Sequence, residues 1–220
     1  MPRAAGAPSA LKLAAPRGAR VRWYEAILAV ALALLLYERL KGSKRDGGDG
    51  PDIARLEADH NMAMVGVMEQ AAAMAPDNAG IHAARGRTLL RLGRHAEALD
   101  ALDRAVSLDP GAPPSHYGRG CALLGLGRAD EALDALDRTV SLDPASAEPH
   151  AQRALALEAL GRHDEALESI DRAVSISPDT AGLHADRARI LGSLGRAPES
   201  AEALARAAGL DPAARGTVPP

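Results

Sequence analysis

The chain has 220 residues, a length that allows one or two domains. Its 26 basic and 29 acidic residues nearly balance, which excludes a whole-chain electrostatic drive toward nucleic acid or acidic surfaces. A single cysteine excludes an internal disulfide framework.

An apolar segment near the N-terminus predicts a membrane anchor. Residues 1–20, rich in Ala, Gly and Pro and free of acidic residues, are predicted to form a flexible basic tail. Residues 26–37 are uninterruptedly apolar, but as a helix they would be only about 18 Å long. Extension into both flanks reaches about 30 Å, the thickness of the hydrocarbon layer, with charges only near the ends. We therefore predict a transmembrane helix over residues 21–41.

The aromatic residues support this prediction. The chain has no Phe, one Trp and three Tyr. Trp23 and Tyr24 precede the apolar run and Tyr37 ends it, so we predict that these three lie at the membrane interface. The expected location is a membrane crossed once. The Ala, Arg and Gly content favours a bacterial inner membrane, with an organelle membrane as the alternative. Five basic residues before the run and four after it leave the orientation open.

Three other interpretations of this segment stay open. A cleaved signal peptide requires a small-residue cleavage site after the apolar run, but Glu38, Arg39, Leu40 and Lys41 follow it. An organelle transit peptide fits the Arg- and Ala-rich start, yet it needs no apolar run. The segment could also be a helix buried in a soluble protein.

A linker and a helix follow. Residues 42–51 (GSKRDGGDGP) have the composition of a flexible linker. Residues 52–76 are predicted to form a helix that starts at Asp52, an N-cap residue, and ends at Pro76. Its C-terminal half is expected to replace the second helix of a repeat and to cap the array that follows. Its four methionines suit either a core or an adaptable docking surface.

The rest of the chain repeats every 34 residues. Each period ends in proline, at Pro76, Pro110, Pro144, Pro178 and Pro212. Histidine recurs at the same period, at His82, His116, His150 and His184, as does the glycine of a Leu-Gly pair, at Gly93, Gly127, Gly161 and Gly195. Apolar residues on both sides of the Leu-Gly pair follow helical spacing, so each copy predicts two helices joined by a turn. Such a hairpin cannot bury its apolar face alone, and neighbouring copies must stack.

Each predicted second helix carries an acidic residue four positions before an arginine. The four pairs are Asp100 and Arg104, Asp134 and Arg138, Glu168 and Arg172, and Glu202 and Arg206. This spacing predicts an ion pair on the surface of each second helix.

The repeat resembles the tetratricopeptide repeat family. The matching small residues are Gly86, Gly120, Ala154 and Ala188 in the first helices and Ala98, Ala132 and Ala166 in the second. The resemblance implies an all-α fold, a right-handed α-solenoid of four hairpins with an N-terminal capping helix, here preceded by a single transmembrane helix. The four repeats are residues 77–110, 111–144, 145–178 and 179–212, followed by a C-terminal tail over residues 213–220. The recurrent histidine stands where the family usually has Trp.

The same resemblance implies that the first helices line a concave groove that binds partners. On the exposed face of these helices the residues differ from copy to copy, unlike the recurrent positions. We predict that the groove is formed by Arg87, Arg91, Tyr117, Cys121, Gln152, Leu155, Asp186 and Arg189. A groove that is basic at Arg87 and Arg91 suits a protein partner that presents a peptide, or an amphipathic helix with an acidic end.

No catalytic or metal-binding constellation is found. Packed helices lie about 8–10 Å apart, so equivalent histidines on successive hairpins cannot share a metal ion whose ligands lie about 2 Å away. We predict that they pack or form hydrogen bonds inside the hairpin. Cys121 has no matched base, and no phosphate loop, serine elbow or HExxH motif occurs. We predict a protein that is not an enzyme, with no cofactor, no metal, no small-molecule substrate and no nucleic-acid partner.

The sequence therefore favours a membrane-anchored scaffold or adaptor that recruits or assembles partner proteins through the groove, with the bilayer contacted by residues 21–41. One alternative is a structural subunit of a membrane protein complex, in which the array acts as a brace. The other is a soluble exported or organellar module released by cleavage of the N-terminal segment.

Overall fold

Nine α-helices account for most of residues 53–211, the part of the chain that our computed structural model describes, with side chains described from residue 58 onward. No strand occurs in this part of the chain. The helices are α1 (Ile53–Met74), α2 (Ala79–Arg91), α3 (His95–Leu108), α4 (Pro113–Gly125), α5 (Ala129–Leu142), α6 (Ala147–Ala159), α7 (His163–Ile176), α8 (Ala181–Ser193) and α9 (Ala197–Leu210). The prediction of an all-helical fold is confirmed for these residues.

Contacts along the chain define two units, and the boundary between them lies inside α1, after Ala63. Of the first unit, the structure describes only the helical residues 53–63. The second unit begins at Met64 and contains the end of α1 and the eight helices that follow. The contacts described below all belong to this second unit.

Helices α2 to α9 form four hairpins, each with a first helix and a second helix that pack against each other. The hairpins are α2–α3, α4–α5, α6–α7 and α8–α9. Each second helix except α9 also packs against the first helix of the next hairpin. This arrangement of consecutive packed pairs is that of an α-solenoid, in agreement with the fold predicted from the 34-residue period.

A left-handed glycine ends every first helix. In the first hairpin, Gly93 has a φ of 70°, a conformation that costs little only for glycine. Its N–H donates to the carbonyl of Leu90, and the N–H of Arg94 donates to that of Leu89, both at 3.0 Å. These two bonds form a Schellman motif, which closes the helix and turns the chain into the second one. Gly127, Gly161 and Gly195 repeat the turn.

Small residues in the first helices allow close packing of each hairpin. A Cβ atom added to Gly86 would lie 2.5 Å from the Cγ atom of Leu102, which is fully buried. Leu136 and Ile170, at the same position in the next two copies, are also fully buried. Leu102 also contacts the next hairpin, since a Cβ on Gly118 would lie 2.8 Å from its Cδ2 atom. Leu102 thus packs both within its own hairpin and against the next hairpin.

The first helices lie on the inner side of the stack. Helix α4 contacts both α2 and α6, its counterparts in the adjacent hairpins. Successive second helices form no packed pair within the described residues. In a curved stack, the row of helices whose members approach each other more closely is the inner row.

The end of α1 resembles a second helix in its burial pattern and in one ion pair. Val65 and Ala71 are buried, and they stand 34 residues before Leu99 and Ala105, which are also buried. Glu69 accepts a hydrogen bond from Arg85, as Asp103 does from Arg119 one period later. Of the methionines in this helix, Met62 and Met74 are exposed and Met64 and Met68 are half-buried.

At the other end, α9 has an uncovered face. Leu204 is 54% exposed, although its equivalents Leu102, Leu136 and Ile170 are fully buried. Ala201 and Ala208 are exposed as well. The described residues provide no further first helix to cover this face.

The predicted location in a membrane is corrected by the structure. Between residues 53 and 211, no helix is both long enough and apolar enough to cross a bilayer. Helix α1 has 22 residues and would reach about 33 Å, but Asp59 and Glu69 interrupt its apolar character. The other helices have 13 or 14 residues, about 20 Å, which is shorter than the hydrocarbon layer. The predicted span over residues 21–41, with Trp23, Tyr24 and Tyr37, lies outside the described residues.

Candidate partner-binding surface

The recurrent histidines hold the start of each first helix. The Nε2 atom of His116 lies 2.9 Å from the carbonyl oxygen of Pro110, the proline that ends the preceding copy. The same bond recurs at 2.9 Å for His82 and Pro76, 3.3 Å for His150 and Pro144, and 2.8 Å for His184 and Pro178. Because a carbonyl only accepts, Nε2 is the donor. These histidines therefore anchor the loop that precedes each hairpin.

Two series of ion pairs also recur in every copy. The first joins a first helix to the second helix of the preceding copy, in the pairs Arg85–Glu69, Arg119–Asp103, Arg153–Asp137 and Arg187–Asp171. The second closes the N-terminus of each second helix, in the two-pronged pairs Arg94–Glu97, Arg128–Glu131, Arg162–Glu165 and Arg196–Glu199. Hydrogen bonds from Arg128 hold the pKa of Glu131 below its usual range. Together with the histidines, these pairs explain why the corresponding residues repeat.

The ion pairs predicted within second helices are not formed. Arg104 Nη2 lies 3.0 Å from Asp77 Oδ1, not beside Asp100, and Arg206 pairs with Asp179 at 3.5 Å. An acidic side chain 27 residues earlier lies closer to the arginine than the one on its own helix.

The predicted groove residues lie on the first helices, and four of them occupy one repeat position. Arg87, Cys121, Leu155 and Arg189 follow one another at 34-residue intervals on α2, α4, α6 and α8. We call the side of the four first helices that carries these residues the first-helix wall. Arg87 and Arg189 are exposed, whereas Cys121 and Leu155 are half-buried.

The basic end of the wall lies on α2. Arg87 and Arg91 are both exposed, and neither forms an ion pair with any described residue. They are one helical turn apart and therefore lie on the same side of the helix, with Cβ atoms about 6 Å apart. The structure thus brings together the two positive charges predicted at this end.

A tyrosine and a thiol lie next to each other on α4. Tyr117 packs against the hydrophobic core and lies one helical turn from Cys121. Burial raises the pKa of the Tyr117 hydroxyl, with a further contribution from the thiol. Burial also raises the pKa of Cys121. At neutral pH both groups are uncharged, and this part of the wall presents a neutral, largely apolar surface.

At the opposite end of the wall, the exposed arginine is paired with two carboxylates. Arg189 forms ion pairs with Glu158 on α6 and with Asp186 on its own helix, the latter at 3.0 Å. Asp186 is half-buried, as is Gln152, which precedes it by one period. Gly118, one period earlier still, is packed against Leu102. Gln152 and Asp186 therefore lie at the edge of the wall, next to the preceding hairpin.

Sequence reasoning missed three residues of the wall. Leu90, Leu124 and Glu158 share one repeat position, three residues after Arg87, Cys121 and Leu155. Leu90 and Leu124 are half-buried and pack against the core, and Glu158 reaches Arg189. Their spacing of three residues from the predicted set places them on the same side of each helix, and this signal is present in the sequence.

Glycine also shapes the edge of the wall at α4. A Cβ atom added to Gly125 would lie 2.4 Å from the Nδ1 atom of His95, so the imidazole ring lies directly against the backbone. Nδ1 of His95 is buried and has no hydrogen-bond partner among the described residues. His95 on α3 thus forms a contact between the first two hairpins. Within residues 53–211, no group of His, Cys, Asp or Glu is arranged to hold a metal ion.

Several solved structures have this fold. MamA, residues 41 to the end, from Desulfovibrio magneticus RS-1 superposes with a TM-score of 0.65 at 19% identity, covering 86% of this chain and 97% of that one. TTC0263, a thermophilic TPR protein from Thermus thermophilus, gives 0.63 at 22% identity, covering 87% and 95%. YrrB, described as a TPR protein with an unusual peptide-binding site, gives 0.59 at 18% identity, covering 80% and 91%.

No curated protein matches the chain in sequence. The tetratricopeptide repeat family model matches residues 65–113 and 117–181, which together are more than half of the chain. Proteins of this family are generally non-enzymatic modules that bind proteins or peptides. On the sequence match and on the packed hairpins together, the chain belongs to the tetratricopeptide repeat family.

Proposed function

We propose that this protein is an interaction scaffold that binds a partner protein through the first-helix wall. The observation that carries the proposal is the contrast between two sets of residues. The histidines, glycines and ion-paired arginines that build the hairpins repeat in every copy. The wall position occupied by Arg87, Cys121, Leu155 and Arg189 holds three different residue types in four copies, while the helices that carry it keep the same length.

Packing explains why the first set repeats, and it places a weaker demand on the exposed residues of the wall. Exposed residues such as Arg87 have no structural partner among the described residues, so the fold leaves their identity free. The first helices of the first three hairpins contact one another, and the ion pair of Arg189 with Glu158 joins the fourth to the third. YrrB, a protein of the same fold, has a peptide-binding site, which supports this use of the fold.

Site-specific photo-crosslinking tests the proposal. A photo-reactive amino acid replaces Leu155 on the wall in one variant and Arg138 on the outer row of second helices in another, and each is expressed in the organism that encodes the chain. We expect discrete crosslinked products from Leu155 and none from Arg138, with the partner identified by mass spectrometry. Equal crosslinking at both positions, or none at either, would contradict binding through the wall.

A further inference from the structure

The arginines of the first helices fall into two classes. Arg85, Arg119, Arg153 and Arg187 pair with the preceding hairpin, and Arg189 pairs with Glu158 and Asp186. Only Arg87 and Arg91, among the first-helix arginines, have no carboxylate partner in the described part of the chain. The sequence shows basic residues at both ends of the wall, but in the structure only the α2 end keeps its positive charge.

The two unpaired arginines are arranged unfavourably for the protein alone. They are one turn apart on one helix, a spacing at which like charges repel. Arg91 lies in the last turn of α2, where the helix dipole favours a positive charge, but Arg87 lies a turn earlier and gains less. An anion placed between them would remove the repulsion and form charge-assisted hydrogen bonds.

An apolar surface adjoins this basic end. Leu90 lies beside Arg87 and Arg91 on the same side of α2, and Leu124 occupies the equivalent position on α4. Both leucines are half-buried against the core, so each keeps part of its side chain on the surface. Tyr117 continues the apolar surface on α4. A ligand for this end of the wall therefore combines negative charge with an apolar side chain.

We infer that the first two copies bind an acidic polypeptide segment, in which two carboxylates pair with Arg87 and Arg91 and a neighbouring apolar side chain contacts Leu90 and Leu124. This inference rests on the proposed function and adds the chemistry and the position of the partner. The spacing of Arg87 and Arg91 suits both an extended and a helical peptide. Side chains two residues apart in an extended segment are separated by about 7 Å, and those four apart in a helix by about 6 Å.

A peptide fits this surface better than a nucleic acid does. A nucleic-acid strand presents a phosphate at every nucleotide and requires a row of basic residues, whereas this wall offers one basic pair followed by apolar side chains.

Selection from a random peptide library tests the inference on the full 220-residue chain. Three proteins are compared: the wild type, the double variant Arg87→Glu/Arg91→Glu, and the control Arg138→Glu/Arg172→Glu. The control makes the same charge change at two arginines that are exposed and unpaired within the described residues but lie on the second helices. Circular dichroism first establishes that all three have the same helical content.

We expect the wild type and the control to select peptides enriched in Asp and Glu, at spacings of two or of three to four residues and next to an apolar residue. The affinity of a selected peptide should fall about tenfold or more in Arg87→Glu/Arg91→Glu and stay unchanged in the control. If the double variant has a lower helical content than the wild type, Arg87→Gln/Arg91→Gln replaces it, and a smaller loss of affinity is expected.

Selected peptides without acidic enrichment, or acidic peptides that bind the double variant equally well, would overturn the inference and leave the proposed function standing. An oligonucleotide that binds more tightly than the selected peptides, and loses its binding in the double variant, would also overturn it. No enriched peptide on any of the three proteins would contradict the proposed function itself.

Discussion

His150 both packs in the hairpin and donates a hydrogen bond at its start. Its ring is buried, and its Nε2 atom donates a hydrogen bond to the carbonyl of Pro144. The family usually places Trp at this position, which packs but cannot titrate. Burial lowers the pKa of His150, as do Arg172 and Arg153, and these effects outweigh the Pro144 carbonyl, which raises it. The folded protein therefore keeps this histidine neutral.

We predict that His150 makes the stability of the protein depend on pH. Because the folded pKa lies below the unfolded value of about 6.5, the unfolded chain takes up the proton first as the pH falls. The stabilisation is complete above about pH 6.5 and decreases below it, by at most about 1.4 kcal/mol per pH unit for one proton. Urea unfolding between pH 7 and pH 5 measures this slope.

The matched control is His150→Gln, which keeps a donor but does not titrate in this range. Its slope should be shallower than that of the wild type. The carboxylates in the two-pronged pairs, such as Glu131, titrate below their usual range, so they contribute little above pH 5. Identical slopes for the two proteins would show that His150 does not contribute.

At the scale of a helix, the position of the helix in the stack decides how much a side chain contributes to stability. Leu136 on α5 lies against Gly120 of its own first helix and is fully buried. Leu204 on α9 occupies the same repeat position, but no following hairpin covers it within the described residues, and it is 54% exposed. The same residue type thus serves as core in one helix and as surface in another.

We therefore predict different costs for the same substitution. Leu136→Ala removes fully buried side-chain atoms and leaves a cavity, and should lower the free energy of unfolding by about 2–5 kcal/mol. Leu204→Ala should change it by about 0.5 kcal/mol or less, since much of that side chain is already in water. Urea titration of both variants measures the difference. Similar losses would mean that a segment outside the described residues covers α9.

Across the whole chain, the sequence predicts the recurrent features of each copy better than it predicts contacts between residues of different copies. The glycine turns, the helix limits and the small residues at Gly86 and Gly120 follow from spacing along the chain. The pairing of Arg189 with Glu158 does not, because these residues are 31 positions apart on different hairpins. Such contacts decide which arginines on the wall remain unpaired. The sequence alone shows only that basic residues occur at both ends of the wall.

The contact of Arg104 with Asp77 was also not predicted, although both residues lie in the same copy. Helical spacing predicts a pair with Asp100, but that prediction considers only one helix. The packed hairpin places Asp77, from the loop before α2, closer to the guanidinium. Positions within a helix are set by the geometry of one element, whereas positions between hairpins are set by how tightly small residues let the helices approach.

A stack in which each hairpin contacts only its neighbours should lose structure from its ends. Helix α9 buries only Ala203, whereas α5 buries Ala132, Leu133, Ala135, Leu136 and Thr139. In such an array, local stability is the sum of each hairpin's own stability and that of its interfaces, and α9 lacks one interface within the described residues.

Burying one leucine side chain contributes about 1.5–3 kcal/mol, a factor of about ten to a hundred in an opening equilibrium. Amide hydrogens of α9 should therefore exchange about ten to a hundred times faster than those of α5, as hydrogen exchange followed by mass spectrometry can measure. Equal rates would mean that the hairpins open as one cooperative unit, and the nearest-neighbour description would then be wrong for this array.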